Sequence, residues 1–186
     1  MKVWPMGKIS IKLSIFFVFL LFNITFTSTM TGAETNKVLS LSQNTKDLLI
    51  KSNPVLGKKV TKATFLGKPI LITFFASWWG SCRAEFVQLG NFLNNGGIKK
   101  VNIIAINWKE ERGGKASINR LNNLVRTFHP NIRVIRSNQE IETHFAPLTN
   151  VPMSFIFNKR GQLIYGSGKQ EYLGIKKLSK ILNSIP

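Results

Sequence analysis

The chain has 186 residues, of which 44% are hydrophobic and 18% charged, a composition that excludes disordered, collagen-like and disulfide-rich proteins. Its 26 Lys and Arg residues against 8 Asp and Glu residues give a formal net charge of +18. The apolar fraction is sufficient for one domain with a sizeable core. Cys82 is the single cysteine and there are two histidines, so we expect no intramolecular disulfide, no metal site and no cofactor.

The N-terminus has the pattern of an export signal. Three lysines precede an apolar run over residues 13–26, and the small residues Thr31-Gly32-Ala33 follow it before the first acid, Glu34. This order is typical of a cleaved signal peptide, and the run is shorter than the roughly 20 residues of a membrane-spanning helix. We therefore expect residues 1–33 to be a signal peptide, or alternatively an N-terminal anchor, of a protein in the bacterial periplasm or on the outer face of the inner membrane.

The excess of basic residues has two interpretations. Lys and Asn are both abundant, as an AT-rich coding sequence would give, and the charge then reflects composition alone. The alternative is attraction to an anionic envelope surface, which salt would weaken. A nucleic-acid partner is not expected, because the basic residues are spread along the chain and do not cluster with interleaved aromatic residues.

The mature chain predicts an α/β domain. Residues 34–68 are polar and irregular, and we assign 34–54 as an N-terminal extension. Beyond them, apolar runs predict strands and three- to four-residue apolar spacing predicts helices, which alternate along the chain. The predicted strands are 70–76, 101–107 and 132–135, and the predicted helices are 82–94, 116–128 and 140–145.

The C-terminal part predicts a hairpin and a last helix. Strands 153–157 and 162–165 flank the turn Asn158–Gly161, and an amphipathic helix covers 171–183. Helical crossovers imply parallel strands, whereas the hairpin is antiparallel. The expected architecture is therefore a mixed central β-sheet flanked by helices.

The stretch FFASWWGSCRAEF at residues 74–86 resembles the strand, active-site turn and helix of thioredoxin-fold proteins. It is closest to the exported thiol-disulfide oxidoreductases of the TlpA and ResA type, whose pattern is F-W-A-x-W-C-x-x-C-R-x-E. Gly67-Lys68-Pro69, Val151-Pro152 and the Asn158–Gly161 turn fall where that group has its G-K-x, G-V-P and D-x-x-G elements. The resemblance covers residues 55–186 and implies a thioredoxin-like domain there.

The chain departs from that group at the residue on which its chemistry depends. The resemblance places Trp79 at the attacking cysteine and Cys82 at the resolving cysteine. An indole cannot form a disulfide, so one copy of this chain cannot carry out the two-electron dithiol cycle. Thr73 stands where ordinary thioredoxins have a buried acid, and Val87 replaces the proline that kinks the helix.

The resemblance also implies a surface for a partner. Val151-Pro152 corresponds to the cis-proline loop, which offers the backbone of the preceding residue to an extended partner segment. We expect an apolar edge there that includes Phe75, and alternatively Phe75 belongs to the core and Trp79 only caps the helix. The predicted partner-binding residues are Trp78, Trp79, Gly80, Ser81, Val151 and Pro152.

Two further residues have alternative roles. Cys82 is either a buried small hydrophobic residue or a reactive monothiol. Glu85 matches the acid of the C-R-x-E pattern, and it is either a charge partner at the helix start or a modulator of Cys82.

Together these features predict an exported thioredoxin-like protein that lacks dithiol redox activity. It would act as a module that binds an extracytoplasmic protein or an extended peptide. The alternative is a monothiol oxidoreductase that exchanges disulfides through Cys82, with an external thiol resolving the product. The sequence leaves the oligomeric state and the identity of the partner open.

Overall fold

The computed structural model describes residues 1, 39–167 and 173–185. Apart from Met1, the predicted signal peptide or anchor lies outside the described residues. The described residues 39–167 and 173–185 belong to one compact unit. Within the described part, none of the helices is both apolar enough and long enough to span a bilayer.

The centre of the domain is a six-stranded mixed sheet with the order β1-β4-β3-β2-β5-β6. Strand β2 pairs in parallel with β3 and antiparallel with β5, β3 pairs in parallel with β4, and β1 and β6 are antiparallel edge strands. The predicted mixed sheet with flanking helices is therefore confirmed. The strands are β1 (Pro54–Leu56), β2 (Ile70–Phe75), β3 (Asn102–Asn107), β4 (Ile132–Arg136), β5 (Met153–Phe157) and β6 (Leu163–Gly166).

Five α-helices flank this sheet in the described residues: α1 (Gln43–Lys51), α2 (Gly80–Asn94), α3 (Ser117–Arg126), α4 (Gln139–His144) and α5 (Ile175–Asn183). Helices α1 and α4 pack on each other, and α2 packs on α5. The start of the last predicted helix, at residues 171 and 172, lies outside the described residues. Short 3-10 turns cover Lys62–Phe65, Gly97–Lys99 and Glu110–Gly113.

The structure differs from the prediction in the segment before residue 68. The segment 34–68, predicted to be irregular, contains α1 and β1, and β1 forms the sheet edge beside β4. Ser42 caps α1 by accepting a hydrogen bond from the Thr45 N–H at 3.3 Å. Leu41 and Leu49 are buried in the hydrophobic core, so residues assigned to the extension share the core of the domain.

Strand β2 is buried on both faces, which explains its uninterrupted apolar sequence. Successive side chains point to opposite faces: Phe74 contacts Phe145 and Phe155, whereas Phe75 contacts Phe86 and Phe128. The chain leaves β2 at its carboxyl end and enters α2 through a short turn. Packing on both faces of the sheet thus fixes the end of β2 from which this turn begins.

Candidate functional site

The turn between β2 and α2 presents Trp79 at the surface. Trp79 is the N-cap residue of α2, has an extended backbone and makes no side-chain cap. Its N–H donates to the Ala76 carbonyl at 3.3 Å, and its indole is 45% exposed. A large apolar side chain left this exposed at a fixed turn is available for contact with another molecule.

Cys82 lies in the first turn of α2, and its side chain points into the protein interior. Its exposed fraction is 0%, and it belongs to the hydrophobic core. Burial raises the pKa of the Cys82 thiol to about 12, the backbone at Ala76 lowers it, and the nearby carboxylates of Glu85 and Glu110 raise it. Because the thiolate is the nucleophilic form, this sulfur is held as a protonated, inaccessible thiol.

Glu85, one turn further along α2, is also fully buried. The Ser154 hydroxyl lies 3.1 Å from its Oε1 and 3.0 Å from Thr73 Oγ1, and the Thr73 hydroxyl lies 3.4 Å from the same carboxylate oxygen. Burial raises the Glu85 pKa to about 7, although these two hydroxyls lower it. Glu85 is thus not an exposed charge partner at the helix start. It is an acid in the core, beside Thr73, where ordinary thioredoxins carry theirs.

A second buried carboxylate, Glu110, fixes the turn from the other side. It accepts hydrogen bonds from the Ser77 N–H at 3.0 Å, from the Ser77 hydroxyl, and from Asn107 Nδ2 at 2.6 Å. These donors satisfy a carboxyl group whose residue is only 5% exposed. Glu110 therefore ties the end of β3 to the turn that carries Trp78 and Trp79. The sequence analysis did not identify it.

Trp78 packs against the loop that follows β3. Its Nε1–H donates to the Lys109 carbonyl at 3.2 Å, and its ring meets that of Trp79 edge-on at 5.9 Å between centroids. Gly113 lies so close that a β-carbon there would be 2.6 Å from Trp78 Cδ1. The absence of a side chain at residue 113 is what allows the indole to sit against this loop.

A groove of about 390 Å³ opens beside the turn. It brings together five predicted partner-binding residues, and the peptide bond between two of them, Val151 and Pro152, is cis. Its lining consists of Trp78, Trp79, Ser81, Trp108, Arg112, Thr149, Asn150, Val151 and Pro152. Four of these lining residues are not predicted from the sequence: Trp108, Arg112, Thr149 and Asn150.

Three of the discussed residues lie outside this groove. Phe75 is fully buried between Phe86 and Phe128, so the alternative that it belongs to the core is the one observed. Gly80 is exposed at the start of α2 but does not line the groove, and Cys82 does not reach it. The buried sulfur is thus not part of the groove lining.

A larger cavity of about 640 Å³ lies between α1 and α4, away from these residues. Two of its polar groups are already paired, because Thr45 Oγ1 and His144 Nε2 are 2.9 Å apart. Within the described ranges, no three side chains of the His, Cys, Asp and Glu types are grouped as a metal ion would require.

Several solved structures are similar to this domain in fold. No protein-family model and no curated protein sequence matches the chain. A thiol:disulfide interchange protein of the thioredoxin family from Chlorobium tepidum TLS matches with a TM-score of 0.59 and 20% identity, covering 71% of this chain and 90% of that one.

Two extracytoplasmic proteins match over similar lengths. A secreted Mycobacterium tuberculosis disulfide oxidoreductase homologous to E. coli DsbE has a TM-score of 0.57 and 16% identity, covering 74% of this chain and 97% of that one. The pneumococcal exposed lipoprotein thioredoxin from Streptococcus pneumoniae strain TIGR4 has a TM-score of 0.54 and 18% identity, covering 72% and 97%. The chain therefore has the thioredoxin-like fold of these thiol-disulfide oxidoreductases.

Proposed function

We propose that this chain is an extracytoplasmic module that binds an extended peptide segment of another protein and carries out no dithiol chemistry. One observation carries the proposal: the exposed Trp79 and the cis Val151-Pro152 loop line one groove, while the single sulfur is buried outside it. A turn that holds a tryptophan in the attacking position retains a surface for contact without a nucleophile.

The groove offers backbone as well as side chains to a partner. Strand β5 begins at Met153, and neither the N–H nor the C=O of Val151 is hydrogen-bonded to any residue that the structure describes. Unpaired backbone groups beside a strand can pair with an added extended segment, and the flanking side chains then supply specificity. The indoles of Trp78 and Trp79 provide apolar contact area for that segment.

Two independent observations support an extracytoplasmic location as part of this proposal. The lysine-rich start and apolar run of the sequence are typical of export. Two of the proteins that share the fold are described as secreted and as an exposed lipoprotein. We place this chain in the bacterial periplasm or on the outer face of the inner membrane.

The structure does not favour the monothiol alternative. Exchange with a partner disulfide requires a thiolate that the partner can reach. The Cys82 side chain is 0% exposed and its pKa is raised to about 12. Partner binding should therefore be independent of the sulfur.

The test uses the full chain and a phage-displayed library of unstructured decapeptides. Recovered peptides should bind wild type and Cys82→Ser equally and bind Trp79→Ala at least tenfold more weakly. Ile164→Ala is the matched control, since Ile164 is an apolar side chain on β6 with the same 45% exposure, and it should bind as wild type does. Failure to recover any peptide, or binding that is lost in Cys82→Ser and unchanged in Trp79→Ala, would overturn the proposal.

A further inference from the structure

Trp108 contributes an unused hydrogen-bond donor to the groove. It follows β3, is 4% exposed and lines the groove, yet its buried Nε1–H has no partner among the residues that the structure describes. Buried indole N–H groups are normally hydrogen-bonded. A donor left in this state at the wall of a groove points to an acceptor that arrives with a ligand.

The neighbouring Trp78 differs from Trp108, because its indole N–H is already hydrogen-bonded within the protein. Trp78 Nε1–H is satisfied internally by the Lys109 carbonyl, so its role is to shape the wall. Trp108 instead lies beneath the Lys109 ammonium, whose nitrogen is 4.3 Å from the ring centroid. The donor that remains unused is therefore also the one next to a positive charge.

Two other groups that line the groove add to this preference. Asn150 Nδ2 is buried without a hydrogen-bond partner among the described residues, and the exposed Arg112 contributes a cationic guanidinium. None of the nine lining residues is acidic. Two unsatisfied N–H donors and a cation, with no acid among the lining residues, complement a carboxylate better than a neutral carbonyl, because charge-assisted hydrogen bonds are the stronger kind.

We infer that the groove recognises an acidic side chain, Asp or Glu, within an extended peptide segment, with Trp108 Nε1, Asn150 Nδ2 and Arg112 as its donors. This inference rests on the proposed function and adds the chemical class of the ligand. Because Trp108 Nε1 and Asn150 Nδ2 are buried, the carboxylate reaches them by a small displacement of the groove wall. The chain's net charge of +18 increases the rate of encounter with such a segment at low salt.

The test compares two peptide pools on the full immobilised chain. Both are N-acetylated, C-amidated heptapeptides with neutral randomised flanks; one has a central glutamate and the other a central glutamine. At low salt the glutamate pool should be retained at least fivefold more strongly. Arg112→Gln should reduce that preference about threefold, and replacing Trp108 by 3-benzothienylalanine, which has the ring shape without the N–H, should reduce it further.

Arg160→Gln is the matched control for charge. Arg160 is exposed in the turn between β5 and β6, at the other end of β5 from Pro152, and its removal should leave the preference unchanged. If Arg160→Gln and Arg112→Gln weaken the preference for the glutamate pool equally, the preference arises from net charge alone and the inference is overturned.

The remaining outcomes separate this inference from the function on which it rests. Equal retention of both pools, lost in Trp79→Ala, would overturn the carboxylate preference and leave peptide binding standing. A third pool, of the glutamine heptapeptides with free C-terminal carboxylates, tests binding of chain ends. If it is retained more strongly than the amidated glutamate pool, the groove binds chain ends and the inference is again wrong. Retention of neither pool would overturn both.

Discussion

The buried carboxyl of Glu85 makes the stability of this protein depend on pH in an unusual direction. Its pKa is about 7 in the folded chain against an ordinary value of 4.5. Between these two values the folded state holds a proton that the unfolded state has released. Folding stability contributed by this group is therefore fully present below about pH 4.5 and is lost as the pH rises towards 7.

The size of the effect follows from the same shift. Each pKa unit corresponds to about 1.4 kcal/mol, so a rise of this size costs about 3 kcal/mol of unfolding free energy between pH 4.5 and 8. Glu85 is 0% exposed, so screening by solvent does not reduce this figure. For a domain of ordinary stability, about 5–15 kcal/mol, this is a large fraction of the total.

Glu85→Gln should remove this dependence, because the amide has nearly the same shape and does not ionise. Thr73 and Ser154 have hydroxyls that can donate to its oxygen or accept from its nitrogen. The variant should match wild type within about 1 kcal/mol at pH 4.5 and exceed it by about 3 kcal/mol at pH 8.

Urea unfolding of the full chain, followed by tryptophan fluorescence at steps from pH 4.5 to 8, measures the difference directly. Glu140→Gln is the control, because it is the same change at an exposed glutamate of α4, and its difference from wild type should be constant over that range. A difference between wild type and Glu85→Gln that does not change with pH would refute the reasoning.

Two other predictions follow from the turn. Cys82 has a pKa of about 12 against an ordinary 9.0, so a thiol reagent at pH 8 should label the native chain at least about a thousandfold more slowly than the urea-unfolded chain; rates within tenfold of each other would contradict the burial. Gly113→Ala places a β-carbon 2.6 Å from Trp78 Cδ1, and overpacking of this kind should cost about 1–3 kcal/mol of unfolding free energy and alter tryptophan fluorescence. Gly80→Ala has no atom within 4 Å of the new carbon and should stay within about 0.5 kcal/mol of wild type; equal effects of the two changes would disprove the packing argument.

Much of the fold is predictable because its signals are local. The apolar run of β2 is continuous since both of its faces are buried, and the spacing of Phe86, Leu89, Phe92 and Leu93 marks the inner side of α2. The resemblance around residues 74–86 predicts one surface for Trp79 and Pro152, and both residues line the groove. Helix α1 was missed because only Leu49 and Thr45 of its nine residues are buried, which leaves little apolar periodicity to detect.

The site residues that were missed depend on tertiary structure. Glu110 is an acid that local pattern reasoning assigns to the surface, since unpaired acids are seldom buried. Trp108 and Arg112 follow β3, and the carboxyl ends of the parallel strands β2 and β3 lie at the same sheet edge. That rule of α/β sheets, in which ligands bind beyond the carboxyl ends of strands, is the signal that could have placed them at the groove.

The polar contacts around the turn fix the segments that carry two tryptophans and do not activate the cysteine. Glu110 holds Ser77 and Asn107 with three hydrogen bonds, and these residues anchor the segments that carry Trp78 and Trp108. Cys82, in contrast, lies in the hydrophobic core near two carboxyl groups that further disfavour its thiolate. A site built for thiol exchange needs an environment that stabilises the thiolate. Here the polar contacts instead fix the segments that carry Trp78 and Trp108. For the peptide binding proposed above, such preorganisation favours association because less entropy is lost.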